Sequence, residues 1–117
     1  MLAQSRTAMQ VQYASDLHLE FNENQNELWH EPLIPKADIL ILAGDIVTFK
    51  ELNEQSWFFD QISKDFKTTY WIPGNHEYYH YDLYAKRGSF VENIRENIFL
   101  VNDYAVTIEN ARLIFST

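Results

Sequence analysis

The run from Ala37 to Ile46 (ADILILAGDI) constrains this chain most. Its apolar residues are consecutive and partly β-branched, and it is short, so it reads as a strand buried on both faces. A strand of that kind belongs inside a largely parallel sheet with layers packed above and below it. Gly44-Asp45 falls where the strand ends, which carries a carboxylate to the sheet's C-terminal edge.

Other segments fit around this strand. Met9 to Ser15 alternates loosely between apolar and polar residues and leads straight into Asp16, as a strand would. Thr68 to Ile72 (TTYWI) is rich in β-formers and is stopped by Pro73-Gly74. Between these strands, Leu52, Phe59, Ile62 and Phe66 recur at helical spacing, with Trp57 and Phe58 widening the stripe, so a covering helix is expected over 49–67. Residues 22–36 are polar with two prolines and read as a loop that could wall a substrate site. Leu83, Phe90 and Ile94 predict a second helix over 81–97, bent or delayed by Gly88. Strands are expected over 98–101, 105–108 and 112–115, with Glu109-Asn110 as a turn. The alternation of strand, loop and helix implies an α/β fold whose ligands bind beyond the strands' carboxyl ends.

At 117 residues the chain is one domain by length. Seventeen acidic residues against nine basic ones give a formal charge of -8, which opposes broad attraction to nucleic-acid backbone or anionic lipid but suits a cation site. The absence of cysteine excludes thiol catalysis, zinc fingers and disulfide frameworks. No apolar run approaches the roughly 18 residues of a membrane span. Residues 1–8 carry one basic residue and no apolar stretch, so they read as a frayed or vector-derived leader, with the domain over 9–117 and the cytoplasm as default location.

Three motifs carry chemistry. In Asp16-x-His18 an extended backbone would point both side chains the same way, letting a carboxylate and an imidazole share a cation. Asp45 after the buried strand could bridge two divalent ions at the roughly 3.5 to 4 Å separation of two-metal hydrolytic sites. Each of these pairs alone is a common turn or cap signal. Gly74-Asn75-His76-Glu77 is the specific one: Asn75 offers a neutral oxygen ligand, and His76 can donate a proton near neutral pH. Glu77 either orients that imidazole from behind or begins a helix. Of the remaining histidines, His30 lacks such a context and His80 sits in a Tyr-rich stretch, as a helix-start or pocket-edge residue.

In this order, and each after a strand, the motifs resemble the first three blocks of the calcineurin-like metallophosphoesterases. The strings SDLHLEF, ADILILAGDI and WIPGNHEYY are similar to small bacterial members in particular, and the resemblance covers 9–117. It implies the N-terminal portion of a four-layer α/β/β/α sandwich. It also implies that Asp16 and His18 bind a first metal, Asp45 bridges, Asn75 binds a second metal, and His76 is the general acid. The cofactors would be two divalent ions, Mn, Fe, Zn or Mg, activating a water against a phosphomono- or phosphodiester.

Members of that family complete the site with later histidines, including a Gly-His-x-His block, that this sequence does not contain. The expectation is therefore an N-terminal half whose four donors cover part of two coordination spheres and hold metal weakly. An inactive fragment or a non-catalytic interaction module on the same scaffold is the alternative. A last strand over 112–115 would leave an apolar face or open edge through which the chain self-associates.

Overall fold

The computed structural model describes residues 9–78 and 88–116. In chain order the elements are β1 (Val11–Ala14), α1 (Asn22–His30), β2 (Ile39–Ala43), a 3₁₀ helix (Phe49–Gln55) running into α2 (Ser56–Asp65), β3 (Thr68–Ile72), a 3₁₀ turn (His76–Tyr78), β4 (Phe90–Arg95), β5 (Ile98–Asn102), β6 (Tyr104–Ile108) and β7 (Ala111–Phe115). One sheet has the order β1-β2-β3-β5-β4, and β6-β7 form a separate antiparallel hairpin. Within the larger sheet all neighbours are parallel except β4, which returns antiparallel along β5.

β2 has a layer on each face, as its unbroken apolar run requires. Leu40 and Leu42 pack toward the helical side with Phe58, Phe59, Ile62 and Trp71. Ile39 and Ile41 face the other way, into a cluster with Tyr70, Val101 and Phe115. On the helical side Phe59 meets Trp71 with ring centroids 5.2 Å apart, and burying each such side chain contributes about 2 kcal/mol. On the other side Tyr70 stacks between Phe99 and Phe115, at 5.8 and 5.0 Å. The β6-β7 hairpin thus lays its inward residues over the sheet face and leaves Ile114 exposed on its outer side.

Three sequence expectations change. Residues 22–30 form α1 rather than a loop. The helix has no buried residue and so no apolar stripe to read. It is anchored instead by Leu28 against the core, by Trp29 edge-on to Trp57 at 5.3 Å, and by amide side chains bonded to the segment before it.

The second helix expected over 81–97 is replaced at its C-terminal end by β4. Phe90 and Ile94 stand four apart, a spacing that satisfies a period of 3.6 or of 2, and Val91 and Ile94 favour the strand. Residues 81–87 of that expected helix lie outside the described residues, as do His80 and the leader over 1–8. The helix expected over 49–67 divides into its 3₁₀ and α parts.

The register matters most for function. Ala14 stands opposite Leu42 and Ala43 opposite Ile72, so β1, β2 and β3 end side by side. The segments that follow them, 15–20, 44–48 and 73–77, meet on one edge of the sheet.

Candidate metal centre

The loop after β1 keeps its place by extending the pairing with the segment after β2. Asp16 N–H donates to the Gly44 carbonyl at 3.0 Å, His18 N–H to Asp45 at 3.0 Å and Leu19 N–H to Ile46 at 2.7 Å. The backbone there is not extended, contrary to the sequence reading: Asp16, His18 and Asp45 have φ of 58, 48 and 55°. Left-handed residues other than glycine cost on the order of 1 kcal/mol each and cluster at functional sites. Asp and His are among the types that tolerate the region. The two side chains of Asp16-x-His18 therefore converge through left-handed backbone rather than through strand alternation.

Oxygen and nitrogen atoms of Asp16, His18 and Asp45 lie within 4.8 Å of one another. His18 Nε2 is 3.7 Å from Asp16 Oδ1. A second group of the same tightness contains His18, Glu20 and His76. The two imidazoles meet edge-on with centroids 4.5 Å apart, and Glu20 Oε2 is 3.2 Å from His18 Nδ1 and 3.4 Å from His76 Nδ1. Sequence reasoning missed Glu20, although Asp16, His18 and Glu20 recur at every second position.

Glu77 lies in the 3₁₀ turn His76–Tyr78, and its carboxylate takes main-chain donors. Its side chain is fully buried and turns under the site. Oε1 accepts the N–H groups of Asp45 and Gly74 at 2.8 and 2.7 Å. Oε2 accepts those of Ile46 at 2.7 Å, Val47 at 3.4 Å and the Trp71 indole at 3.1 Å. Burial pushes this carboxyl above its ordinary value, and the amide and indole donors act against that rise. The result is one buried carboxylate tying the loop after β2 to the loop after β3.

The two loops also touch directly. A Cβ on Gly74 would lie 2.5 Å from Asp45 Oδ1 and 2.9 Å from Asp45 N, so only glycine fits there. This close approach lets His76 N–H donate to Asp45 Oδ1 at 2.9 Å. Asn75 sits on the same turn, exposed, with its carbonyl accepting the Tyr78 N–H at 3.2 Å. His30 is elsewhere, at the end of α1, its ring against the Asn26 carbonyl.

The donor set suits a divalent cation. Carboxylate oxygens and imidazole nitrogens are ligands for Mn, Fe, Zn and Mg, and Glu20 Oε1 is buried with no hydrogen-bond partner among the described residues. Compared with known proteins, residues 9–115 match the calcineurin-like phosphoesterase family. The chain belongs to that family. In this member of the family, Asp16, His18, Asp45 and His76 stand around one edge of the sheet.

The chain is also 31% identical over 122 residues to an uncharacterised protein of Acanthamoeba polyphaga mimivirus, an alignment covering 92% of this chain and 43% of that relative. It spans less than half the length of that relative. No solved structure matches it significantly. Among the described residues, no helix is long and apolar enough to cross a membrane.

Proposed function

We propose that this chain carries the N-terminal ligands and the proton donor of a two-metal phosphoester hydrolase. One observation supports the reading above the rest: three carboxylates and two imidazoles, from three separate loops, converge where β1, β2 and β3 end. Asp16, His18 and Asp45 would hold a cation, with Asn75 on the neighbouring turn as the ligand for a second. When bound, the two cations supply positive charge for a phosphoryl group and acidify water.

The chain's own residues do the rest. Asp45 takes left-handed backbone, and its carboxylate accepts the His76 N–H at 2.9 Å. His76 has Nδ1 against Glu20, and as an imidazolium it would pass its Nε2 proton to the leaving oxygen. The substrate class is a phosphomono- or phosphodiester, and a cytoplasmic location goes with this reading.

The test is hydrolysis of aryl phosphate mono- and diesters with and without added manganese, alongside metal analysis. His76→Ala should cut turnover at least a hundredfold with metal content near normal, whereas Asp45→Ala should lower metal content itself. Equal metal loss in both variants would contradict the assigned roles. Metal binding without any hydrolysis would favour a non-catalytic module.

A further inference from the structure

We propose that Glu20 is the positioning residue of this centre, fixing the tautomer and ring orientation of His18 and His76 together. The inference rests on the metal-centre reading above and deepens it. An ionised carboxylate only accepts hydrogen bonds, so a ring nitrogen held against it must carry the proton. Glu20 Oε2 lies 3.2 Å from His18 Nδ1 and 3.4 Å from His76 Nδ1, so both rings are set as Nδ1–H tautomers by one oxygen atom.

The consequence differs for the two rings. His18 Nε2 then presents a lone pair on the side of Asp16, 3.7 Å away, and joins the group formed with Asp45. A carboxylate behind a ligating histidine raises the basicity of the ring and sets its direction. At His76 the same bond takes Nδ1–H, so a second proton, carried only by the imidazolium, would sit on Nε2 and be the one delivered. The edge-on contact of the two rings, 4.5 Å between centroids, follows from sharing that oxygen.

Glu20 is built to hold still. Its side chain is only 10% exposed. The preceding residue, Leu19, is fully buried, donates its N–H to Ile46 at 2.7 Å and accepts the Gln25 side chain at 2.8 Å. The second oxygen, Oε1, is buried with no hydrogen-bond partner among the described residues. A carboxylate kept there with half its acceptor capacity unused is better explained by the two imidazoles it orients than by packing.

The test reads tautomers directly, by long-range proton–nitrogen NMR of the imidazoles in the metal-free full chain at about pH 8. The wild type should show Nδ1–H at both His18 and His76. Glu20→Gln keeps an acceptor oxygen and should keep both tautomers, and Glu20→Leu should give mixed or Nε2–H rings. Zinc titration by calorimetry should show binding weakened roughly 10- to 100-fold by Glu20→Leu and less than tenfold by Glu20→Gln.

Nε2–H at either wild-type ring overturns the proposal whether or not the leucine variant folds. So do unchanged tautomers in Glu20→Leu, or equal loss of zinc affinity in both variants, which would make Glu20 a ligand. Correct tautomers in a chain that hydrolyses no phosphoester would leave Glu20 as the positioning residue while removing the hydrolase reading.

Discussion

The two walls of the metal centre are held in different ways. Where Gly74–Glu77 meets Gly44–Asp45, a single buried carboxylate takes donors from both loops and two glycines allow the backbones to touch. Among the described residues the facing segment, Asp16–Glu20, has no such clamp. It hangs on main-chain bonds to 44–46 and on Asn24 and Gln25 of α1, and among those residues Glu20 Oε1 has no hydrogen-bond partner. The first wall is cross-linked through one carboxylate, whereas the second carries Asp16 and His18 in left-handed backbone and one oxygen without a hydrogen-bond partner among the described residues. Cation binding should therefore order the second wall more than the first.

The largest effect expected on this contrast is at Glu77. Glu77→Gln turns an amide N–H₂ toward main-chain donors in a fully buried place, and should lower unfolding free energy by about 3 kcal/mol in urea denaturation. A loss below about 1 kcal/mol would mean that the clamp is not what joins the loops. Next is Gly74→Ala, whose methyl would collide with Asp45 and should cost about 2 kcal/mol while weakening cation affinity.

Asn24→Ala removes the bonds from its side chain to the Leu17 and His18 carbonyls, 3.0 and 3.2 Å, and should cost about 1 kcal/mol. Its imprint should appear as faster amide exchange confined to 17–25. Exchange spread equally over 74–77 would erase the distinction between the walls.

The smallest effect is in the pH dependence. Burial raises the Glu77 carboxyl, so between its unfolded and folded titrations the native chain binds more protons than the unfolded one. This group's contribution to stability therefore declines as pH rises through the folded value and recovers as pH falls. The stability difference between wild type and Glu77→Gln should widen as the solution is acidified from neutrality, and a narrowing difference would contradict that direction.

Sequence alone carried the sheet and the motifs further than it carried what surrounds them. β2 and β3 were legible because their apolar, β-branched runs end abruptly at Gly44-Asp45 and Pro73-Gly74. β5, β6 and β7 were legible for the same reason, bounded by Asp103 and by Glu109-Asn110. β4 was not, since Phe90 and Ile94 suit either period until β5 supplies a partner. α1 was not, because its hold on the protein comes from amides reaching the neighbouring loop, which leaves no apolar stripe.

At the site, the sequence singled out Asp16, His18, Asp45 and His76, and the fold brings them to one edge of the sheet. The backbone that brings the first three together was not legible, since positive φ at Asp and His leaves no mark in residue type. Glu20 and Glu77 look in sequence like ordinary surface carboxylates. Only the fold places one beneath two imidazoles and the other beneath two loops.

The most direct test is calorimetric titration of manganese into the wild-type chain and into Asp45→Asn. The asparagine keeps the left-handed backbone and an oxygen for the His76 amide, so the fold should persist while the charge is lost. Saturable binding in the wild type, weakened at least about tenfold in Asp45→Asn with an unchanged circular dichroism spectrum, is the expected result. Equal affinity in the two chains would place the cation away from the ends of β1, β2 and β3 and contradict the account.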